Sequence, residues 1–278
     1  MATFKSIAGA ALRSGLWLTG KAGVALQPRR DSRNRITGLN AQWGRSEDNM
    51  IRGLVIEREI DGHPVRFFVS DESDAIQQEH MAGRWYEEQE LALIRTHYRG
   101  GTFVDVGSNV GNHSLFAAIR LNAPVIAFEP NPPAYQNCVY NFLLNGLGDR
   151  AVVHRIGLSD QEGTAKVGPI AYRNLGATKL VTGVGPLILK RGDDVLADDP
   201  VGFIKIDVEG MELSTLRGLE ETIRKHGPVI MVEVDNANID AFKHWLDQQA
   251  YEVVEKLPKW DNANFIIRPR QDARTALA

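Results

Sequence analysis

The chain of 278 residues has one cysteine, Cys138, and no apolar run of the length that crosses a membrane. A single cysteine excludes an intrachain disulfide framework and is typical of a reducing compartment, so we expect a cytoplasmic protein. The hydrophobic fraction of 43% and the charged fraction of 24% are ordinary for a globular protein. The length allows one large domain with an N-terminal extension.

Positive charge exceeds negative charge only at the N-terminus. Residues 1–40 hold seven Lys or Arg and one acid, so the rest of the chain carries a net charge of −9. Apolar residues near helical spacing between Phe4 and Lys21 predict a loosely packed terminal helix, or an amphipathic helix that contacts a membrane surface or a partner. No nucleic-acid partner is expected, because no aromatic residues are interleaved with the basic cluster Arg29, Arg30, Arg33 and Arg35.

The pattern along the chain divides it into three parts. Residues 1–50 form a basic N-terminal extension that we expect to be irregular. Residues 51–100 contain a β-hairpin, because Asp61-Gly62 separates two alternating apolar runs, and then a helix over Glu79–His97. Residues 101–278 form the main domain.

Strand and helix patterns alternate from Thr102 onwards, as a parallel sheet with crossover helices requires. Strands are predicted near 102–106, 124–128, 151–156, 202–206, 228–233, 250–256 and 263–268. Helices are predicted near 111–121, 133–145, 211–225 and 238–249. The polar, glycine-rich stretch 160–192 predicts a hairpin and a loop over the site. The fold class is therefore α/β, with a seven-stranded, doubly wound, mostly parallel sheet that ends in a C-terminal antiparallel hairpin.

A glycine loop follows the first of these strands. Gly107 and Gly111 flank a segment where the backbone must bend sharply and a ligand can come close. The helix that follows points its free amide groups back at the loop. The next strand ends at Glu129, 24 residues after Asp105, where doubly wound sheets place an acid that binds ribose hydroxyls. The segment predicts a cofactor that contains a nucleoside; the alternative is a tight turn without a ligand.

Two glycines of the dinucleotide-binding fingerprint are missing. Counting from Gly107, Asn109 and Asn112 occupy the second and third glycine positions. Close approach of the backbone to a pyrophosphate is thereby disfavoured. A carboxylate, Asp105, precedes the loop instead, and it suits a ligand with an amino group and a sulfonium cation. S-adenosylmethionine is such a ligand.

Several segments together resemble the FkbM-type methyltransferases, a branch of the class I S-adenosylmethionine-dependent enzymes. The matching segments are Phe103-Val-Asp-Val-Gly-Ser-Asn-Val-Gly-Asn-His-Ser, Ala127-Phe-Glu-Pro-Asn-Pro, Gly157-Leu-Ser-Asp-Gln-Glu-Gly, Phe203-Ile-Lys-Ile-Asp-Val-Glu-Gly-Met-Glu and Pro228-Val-Ile-Met-Val-Glu. The resemblance covers about residues 75–268, and a terminal hairpin that closes a parallel sheet is typical of these enzymes. Ser108 and Asn112-His113 depart from the usual residues of the family.

The resemblance implies a set of cofactor contacts. The glycine loop and Asp105 would hold the methionine end of the cofactor. Glu129 would bind the ribose hydroxyls, and the two residues after it would shape the adenine edge. The residues concerned are Asp105, Gly107, Ser108, Asn109, Gly111, Glu129, Pro130 and Asn131. Ser159 and Asp160 resemble a further adenine contact of the family; their alternative is a turn held by local side-chain bonds.

Asp207 and Glu209, at the end of the fourth strand, are the candidate catalytic residues. Methyl transfer to a hydroxyl needs alignment and a base. Either carboxylate can serve as the base, or the pair can hold a divalent ion or a substrate hydroxyl; no metal ligands are assigned. Alternatively, Asp207 caps the next helix, while Glu209 and Glu212 neutralise its dipole. We expect Lys205 to pair with Glu233.

The sequence therefore predicts an S-adenosylmethionine-dependent methyltransferase. The resemblance implies O-methylation of a hydroxyl on a sugar, polyketide or related metabolite, with a small-molecule or glycan acceptor as the partner. Two alternatives remain: an NAD-dependent oxidoreductase, which Asn109 and Asn112 disfavour, and a non-catalytic S-adenosylmethionine-binding scaffold, which the intact Asp105, Glu129 and Asp207 disfavour.

Overall fold

The computed structural model describes most of the chain from residue 50 onwards and two short strands before it. The described ranges are 24–29, 36–42, 50–168, 179–196 and 199–270. The predicted helix between Phe4 and Lys21 lies outside the described residues. Within the described part of the chain, no helix is long and apolar enough to cross a membrane.

An antiparallel sheet precedes the main domain. Its strands run in the order β1 (Val24–Arg29), β2 (Ile36–Gln42), β3 (Met50–Ile60) and β4 (His63–Val69). The predicted hairpin is confirmed as β3 and β4, with Asp61 and Gly62 at positive φ in the turn. The expectation of an irregular leader is wrong for β1 and β2, because β2 pairs with the free edge of β3 and β1 pairs with β2.

Two helices replace the single helix expected over Glu79–His97. They are α1 (Ala75–Met81) and α2 (Glu88–His97). The first helix ends before Gly83, where φ is +76°, and the second begins after Glu87, where φ is +58°. This break brings the residues between the two helices to the edge of the central sheet.

The main domain contains the alternating elements that the sequence predicts. In chain order they are β5 (Thr102–Val106), α3 (Asn112–Arg120), β6 (Val125–Phe128), α4 (Pro132–Leu144), β7 (Ala151–His154), β8 (Gly157–Ser159), β9 (Gly163–Val167), β10 (Leu180–Thr182), β11 (Leu187–Arg191), α5 (Gly192–Val195), β12 (Val201–Ile206), α6 (Glu212–Gly218), α7 (Glu220–His226), β13 (Val229–Asp235), α8 (Ile239–Gln248), β14 (Tyr251–Pro258) and β15 (Asn262–Pro269). The helix predicted over 211–225 is divided at Leu219 into α6 and α7.

Seven strands form the central sheet, in the order β14-β15-β13-β12-β5-β6-β7. Strands β13, β12, β5, β6 and β7 are parallel, and β15 lies antiparallel between β13 and β14. The predicted fold class is therefore confirmed, including the terminal antiparallel hairpin. Because the parallel strands share a direction, the loops that follow β5, β6 and β12 meet at one edge of the sheet.

Both faces of the sheet are covered, so its central strands are buried and mostly apolar. Successive side chains of a strand point to opposite faces. In β5, Phe103 belongs to the core cluster that contains Trp85 of the N-terminal part and Leu115 of α3. Val104 and Val106 belong to the cluster on the other face. The N-terminal part thus packs on the same core as the helix that follows the glycine loop.

A smaller sheet fills the region predicted as a hairpin and loop. Its strands run in the order β10-β9-β11-β8, with β8 parallel to β11 and the other pairs antiparallel. Residues 169–178 lie outside the described ranges. Val167 of β9 and Leu180 of β10 reach the wall of the cleft at the edge of the central sheet.

Candidate functional site

A cleft of about 360 Å³ opens at the carboxyl ends of β5, β6 and β12. Of the residues that the sequence assigns to a cofactor or to catalysis, most line this cleft. These are Gly107, Ser108, Asn109, Glu129, Pro130, Asn131, Asp207 and Glu209. The structure therefore brings the two groups of candidates, which are about 100 positions apart in the chain, to one cavity.

The glycine loop is held tightly against its neighbours. Gly107 and Gly111 have φ values of +77° and +87°. A Cβ at Gly107 would lie 1.8 Å from the carbonyl oxygen of Asp207, and a Cβ at Gly111 would lie 2.7 Å from Sγ of Cys138. Neither position accepts a side chain, because both the conformation and the space favour glycine.

Glu129 joins the glycine loop to the loop after β6. Its carboxylate is 7% exposed and accepts hydrogen bonds from the backbone N–H of Asn109 at 2.9 Å and of Asn131 at 2.8 Å. Burial raises the pKa of Glu129 to about 7, although the two hydrogen bonds act in the opposite direction. The carboxylate is thus fixed in position at the wall of the cleft and titrates near neutral pH.

Asp105 lies behind the loop. Its side chain is fully buried and accepts a hydrogen bond of 2.6 Å from the hydroxyl of Ser114 in α3. The ammonium of Lys205 lies 3.4 Å from its other oxygen. The contacts that the structure gives Asp105 therefore support the loop and the start of α3, and its predicted contact with the cofactor remains a prediction.

Lys205 connects β12 to the glycine loop. Its Nζ donates to the carbonyl of Gly107 at 3.0 Å and lies 3.3 Å from Asp207. Burial alone would lower the pKa of Lys205, but the carboxylates of Asp207 and Asp105 raise it above its usual value. The predicted pairing with Glu233 is wrong, because the register of β12 on β5 places Lys205 opposite Asp105.

The carboxylates of Asp207 and Glu209 both face the cleft. The helix-capping alternative is wrong for Asp207, because α6 begins at Glu212 with Met211 in the cap position and no side-chain cap. Glu212 lies in the first turn of α6, but its carboxylate accepts a hydrogen bond of 2.7 Å from Nδ2 of Asn238. Glu209 has a φ of +49°, an uncommon conformation for a residue other than glycine.

Asp207, Glu209 and Glu233 form a carboxylate cluster, in which one oxygen of each residue lies within 4.8 Å of the others. Burial, together with the charges of Asp207 and Glu233, raises the pKa of Glu209 to about 7. Burial, together with the charges of Asp207 and Glu87, also raises the pKa of Glu233, although Lys259 acts in the opposite direction. A cluster with this excess of negative charge can accept a proton or hold a cation.

Lys259 joins the carboxylate cluster to the N-terminal part. Its Nζ lies 2.7 Å from Glu87, 3.0 Å from Glu233 and 3.1 Å from Glu90. Burial opposes its charge, but Glu87 and Glu233 raise the pKa of Lys259 above its usual value. The ion pairs connect the start of α2, the end of β13 and the turn between β14 and β15 around the mouth of the cleft.

Ser159 and Asp160 do not line the cleft. The Ser159 hydroxyl lies 3.3 Å from Asp160, and Arg217 donates to the other Asp160 oxygen at 3.0 Å. Among the described residues, Gly157 and Leu158 line the cleft at this place. The contacts agree with the alternative of a turn held by local side-chain bonds, and an adenine contact stays a prediction.

Tyr86, Glu87 and Lys259 also line the cleft, and sequence reasoning did not assign them to the site. His113, which the sequence indicates as a packed or substrate-lining residue rather than a base, lines it too. His113 is buried, and burial lowers its pKa, so it is mostly neutral at neutral pH. Lys259 and the two residues before α2 reach the cleft through the pairing of distant elements. The sequence carries one local signal, the departure from the family at Asn112-His113.

In the central sheet the seventh strand, β15, lies between the fifth, β13, and the sixth, β14. This strand order, together with a cleft at the glycine loop and at the acid after β6, defines a methyltransferase fold. The particular family follows from the comparison with family models. The model described as "Methyltransferase FkbM domain" matches residues 105–263, and the chain belongs to this family.

Named relatives are also methyltransferases. The chain is 29% identical over 209 residues to the hexuronic acid methyltransferase AglP of Haloferax volcanii, a match that covers 71% of this chain and 81% of the relative. It is 28% identical over 192 residues to the methyltransferase sdnD of Sordaria araneosa, covering 61% and 70% of the two chains. The solved structure of a putative rRNA methylase from Clostridium thermocellum is 16% identical, has a TM-score of 0.45, and covers 66% of this chain and 95% of that chain.

Proposed function

We propose that the protein transfers a methyl group from S-adenosylmethionine to a hydroxyl oxygen, on a sugar or a related metabolite. The observation that carries the proposal is one cleft with two different walls. One wall is the glycine loop with Glu129, and the other is the carboxylate cluster with Glu209. The first suits a nucleoside that carries an amino acid, and the second suits an acceptor that must lose a proton.

The first wall fits the cofactor in two respects. Both amide atoms of the Asn109 side chain are buried without a hydrogen-bond partner among the described residues. Buried polar groups without a partner are costly and need an explanation, and a ligand in the cleft that Asn109 lines supplies one. Glu129 presents an acceptor carboxylate to ribose hydroxyls. When bound, S-adenosylmethionine supplies an electrophilic methyl group on a sulfonium.

The second wall supplies the base. An acceptor hydroxyl is a weak nucleophile until its proton is removed. In the proposed reaction the acceptor oxygen forms the new bond to the methyl carbon as the sulfur–methyl bond breaks, and the hydroxyl proton passes to a carboxylate oxygen of Glu209. Because the pKa of Glu209 is about 7, about half of the molecules hold this residue ionised at neutral pH. Asp207 orients the acceptor beside it.

The acceptor class rests on chemistry and on one relative. AglP is named for a hexuronic acid, which offers both hydroxyl and carboxylate oxygens. A carboxylate acceptor needs no base, and the carboxylate cluster repels it. The charge of the cluster therefore supports a hydroxyl as the methylated group, and the name of AglP supports a carbohydrate as the acceptor.

Calorimetry tests the cofactor. S-adenosylhomocysteine should bind to the purified protein, and NAD should not. Glu129→Ala should weaken binding by about 1–3 kcal/mol, because charged hydrogen bonds to ribose are lost. If NAD binds and neither S-adenosylmethionine nor S-adenosylhomocysteine binds, the proposal is overturned in favour of an oxidoreductase.

Labelled S-adenosylmethionine and a panel of sugars test the transfer. Glu209→Gln should lower turnover by about 100-fold or more, the typical contribution of a general base, and Asp207→Asn should lower it less. Asp240→Asn is the matched control, because Asp240 is 96% exposed and lies outside the cleft. Full activity of both Glu209→Gln and Asp207→Asn would show that these two carboxylates have no catalytic role.

The chemistry of the product separates the two kinds of oxygen. A methyl ether on a hydroxyl survives mild alkali, whereas a methyl ester on a carboxylate releases methanol. Uronic acids and the corresponding neutral sugars should be compared as acceptors. Label that is retained after alkali supports the proposal, and release of all label as methanol would identify the carboxylate as the acceptor.

A further inference from the structure

A tyrosine from outside the matched family domain reaches the acceptor side of the cleft. Tyr86 lies in the segment between α1 and α2, 19 positions before the first matched residue, Asp105. Its side chain is half-buried and lines the cleft with the neighbouring Glu87. The neighbouring Glu87 lies 2.7 Å from Nζ of Lys259, which lies 3.0 Å from Glu233, so Tyr86 is on the same side of the cleft as the carboxylate cluster.

The backbone of Tyr86 is fixed to the glycine loop by one side chain. The Asn112 amide oxygen accepts from the Tyr86 N–H at 3.1 Å, and the Asn112 amide nitrogen donates to the Tyr86 carbonyl at 2.9 Å. Asn112 is 3% exposed and is the first residue of α3. A single side chain therefore pairs with both backbone groups of Tyr86, in the manner of a neighbouring strand.

Further buried contacts hold Asn112 in this orientation. Nε2 of His80 lies 3.0 Å from the Asn112 amide oxygen, and the His80 ring stacks on Phe67 with 4.0 Å between the ring centroids. Burial lowers the pKa of His80 to about 4, so the ring is neutral at neutral pH. The position of Tyr86 is thus set by a packed network that begins at the residue after Gly111.

The hydroxyl of Tyr86 remains available. Within the described ranges, this hydroxyl has no hydrogen-bond partner, although both backbone groups of the residue are paired. Burial and the charge of Glu87 raise the pKa of Tyr86 to about 12, so the phenol keeps its proton and acts as a hydrogen-bond donor. A donor that is held rigidly at the wall of a cleft costs little entropy on binding.

We propose that Tyr86 is an acceptor-binding residue that donates a hydrogen bond to an oxygen of the carbohydrate acceptor, and that Asn112 is its positioning residue. The proposal deepens the proposed function and rests on it. Its consequence is that acceptor selectivity depends on the N-terminal part of the chain, whereas the cofactor is held by the matched domain.

The test uses the full chain with a sugar acceptor that the wild type methylates. Tyr86→Phe should raise the KM for that acceptor by about tenfold, the effect of one lost hydrogen bond, and leave the affinity for S-adenosylhomocysteine within about twofold. Tyr140→Phe is the matched control, since Tyr140 packs on Phe68 with the ring centroids 4.9 Å apart. It should change neither quantity.

Deoxy analogues of the acceptor identify the partner oxygen. For one analogue, the effect on KM of removing the sugar hydroxyl and the effect of Tyr86→Phe should not be additive, because both changes remove the same hydrogen bond. Asn112→Ala should raise the KM for the acceptor in the wild type and should raise it much less in the Tyr86→Phe background. Additive effects for every analogue would overturn the contact with Tyr86.

The outcomes separate this inference from the proposed function. If the wild type binds S-adenosylhomocysteine and methylates the sugar, but Tyr86→Phe has an unchanged KM, the inference about Tyr86 fails alone. If the wild type binds no adenosyl compound, the proposed function fails as well. If Tyr86→Phe weakens the binding of S-adenosylhomocysteine as much as that of the acceptor, Tyr86 belongs to the cofactor site and the inference is overturned.

Discussion

Binding of an adenosyl cofactor should be linked to the protonation of Glu129. In the free protein its carboxylate has a pKa of about 7, because burial favours the neutral form. Ribose hydroxyls donate hydrogen bonds, and an ionised carboxylate accepts them better than a protonated one. Binding should therefore lower the pKa of Glu129 and release a proton, so a decrease in pH should weaken binding.

The size of the effect follows from the pKa. With a pKa of about 7, Glu129 is roughly nine-tenths protonated at pH 6 and roughly one-tenth at pH 8. If the ribose binds only the ionised form, the dissociation constant should rise about tenfold from pH 8 to pH 6, which is about 1.4 kcal/mol. At pH 7 about half a proton should be released for each ligand bound.

Calorimetry with S-adenosylhomocysteine in buffers of different ionisation enthalpy measures both quantities. Glu129→Gln is the control, because it keeps the shape and removes the titration. The difference between wild type and variant also removes the contribution of Glu209, whose pKa is about 7 as well. The reasoning is refuted if the wild type and the variant show the same pH dependence, or if no proton is released at pH 7.

The same pKa makes a prediction for the stability of the free protein. The pKa of Glu129 is raised from 4.5 to about 7 on folding. Between these values only the folded state holds the proton, so the stabilising contribution is present at low pH and is lost as the pH rises through about 7. The change amounts to about 3 kcal/mol. Denaturant unfolding at several pH values should show it in the wild type and not in Glu129→Gln.

Two further predictions concern the support of the glycine loop. Gly107→Ala should destabilise the protein by about 3 kcal/mol or more in denaturant unfolding, because the new Cβ would lie 1.8 Å from a carbonyl oxygen. Gly62→Ala is its control, with the same φ of +77° and open space, and an equal loss would refute the steric account. Lys205→Met should cost about 3–5 kcal/mol, because it leaves the buried Asp105 without its cation. Lys243→Met is the control, because Lys243 forms an exposed ion pair whose loss should change stability little. If Lys205→Met has an effect as small as that of the control, the prediction is wrong.

The main domain could be predicted from the sequence because its signals are local. The strands and crossover helices have strong apolar patterns, and Asp61-Gly62 specifies a hairpin. The errors have non-local causes. Strand β2 forms by pairing with β3, and the break before α2 depends on contacts that place Glu87 beside Lys259. A sequence pattern does not reveal such pairings.

The site was predictable only on the side that carries a motif. The glycine loop, Glu129, Asp207 and Glu209 lie in one cleft because parallel strands end at one edge of a sheet. The partner of Lys205 depends instead on the register of β12 against β5, which periodicity does not determine. Tyr86 reaches the cleft from an element without a motif, so it had no signal apart from the unusual Asn112 that holds it.

The register of β12 on β5 also connects two observations that the sequence presents separately. Lys205 aligns with Asp105, and the two-residue period of a strand places Asp207 on the same side as Lys205. One ammonium therefore lies between two carboxylates, 3.4 Å and 3.3 Å away, directly beneath the carbonyl of Gly107. The support of the loop carries a net negative charge, which repels a pyrophosphate and attracts an amino group and a sulfonium. This charge adds to the steric effect of Asn109 and Asn112 at the glycine positions of the fingerprint, and both support S-adenosylmethionine over NAD.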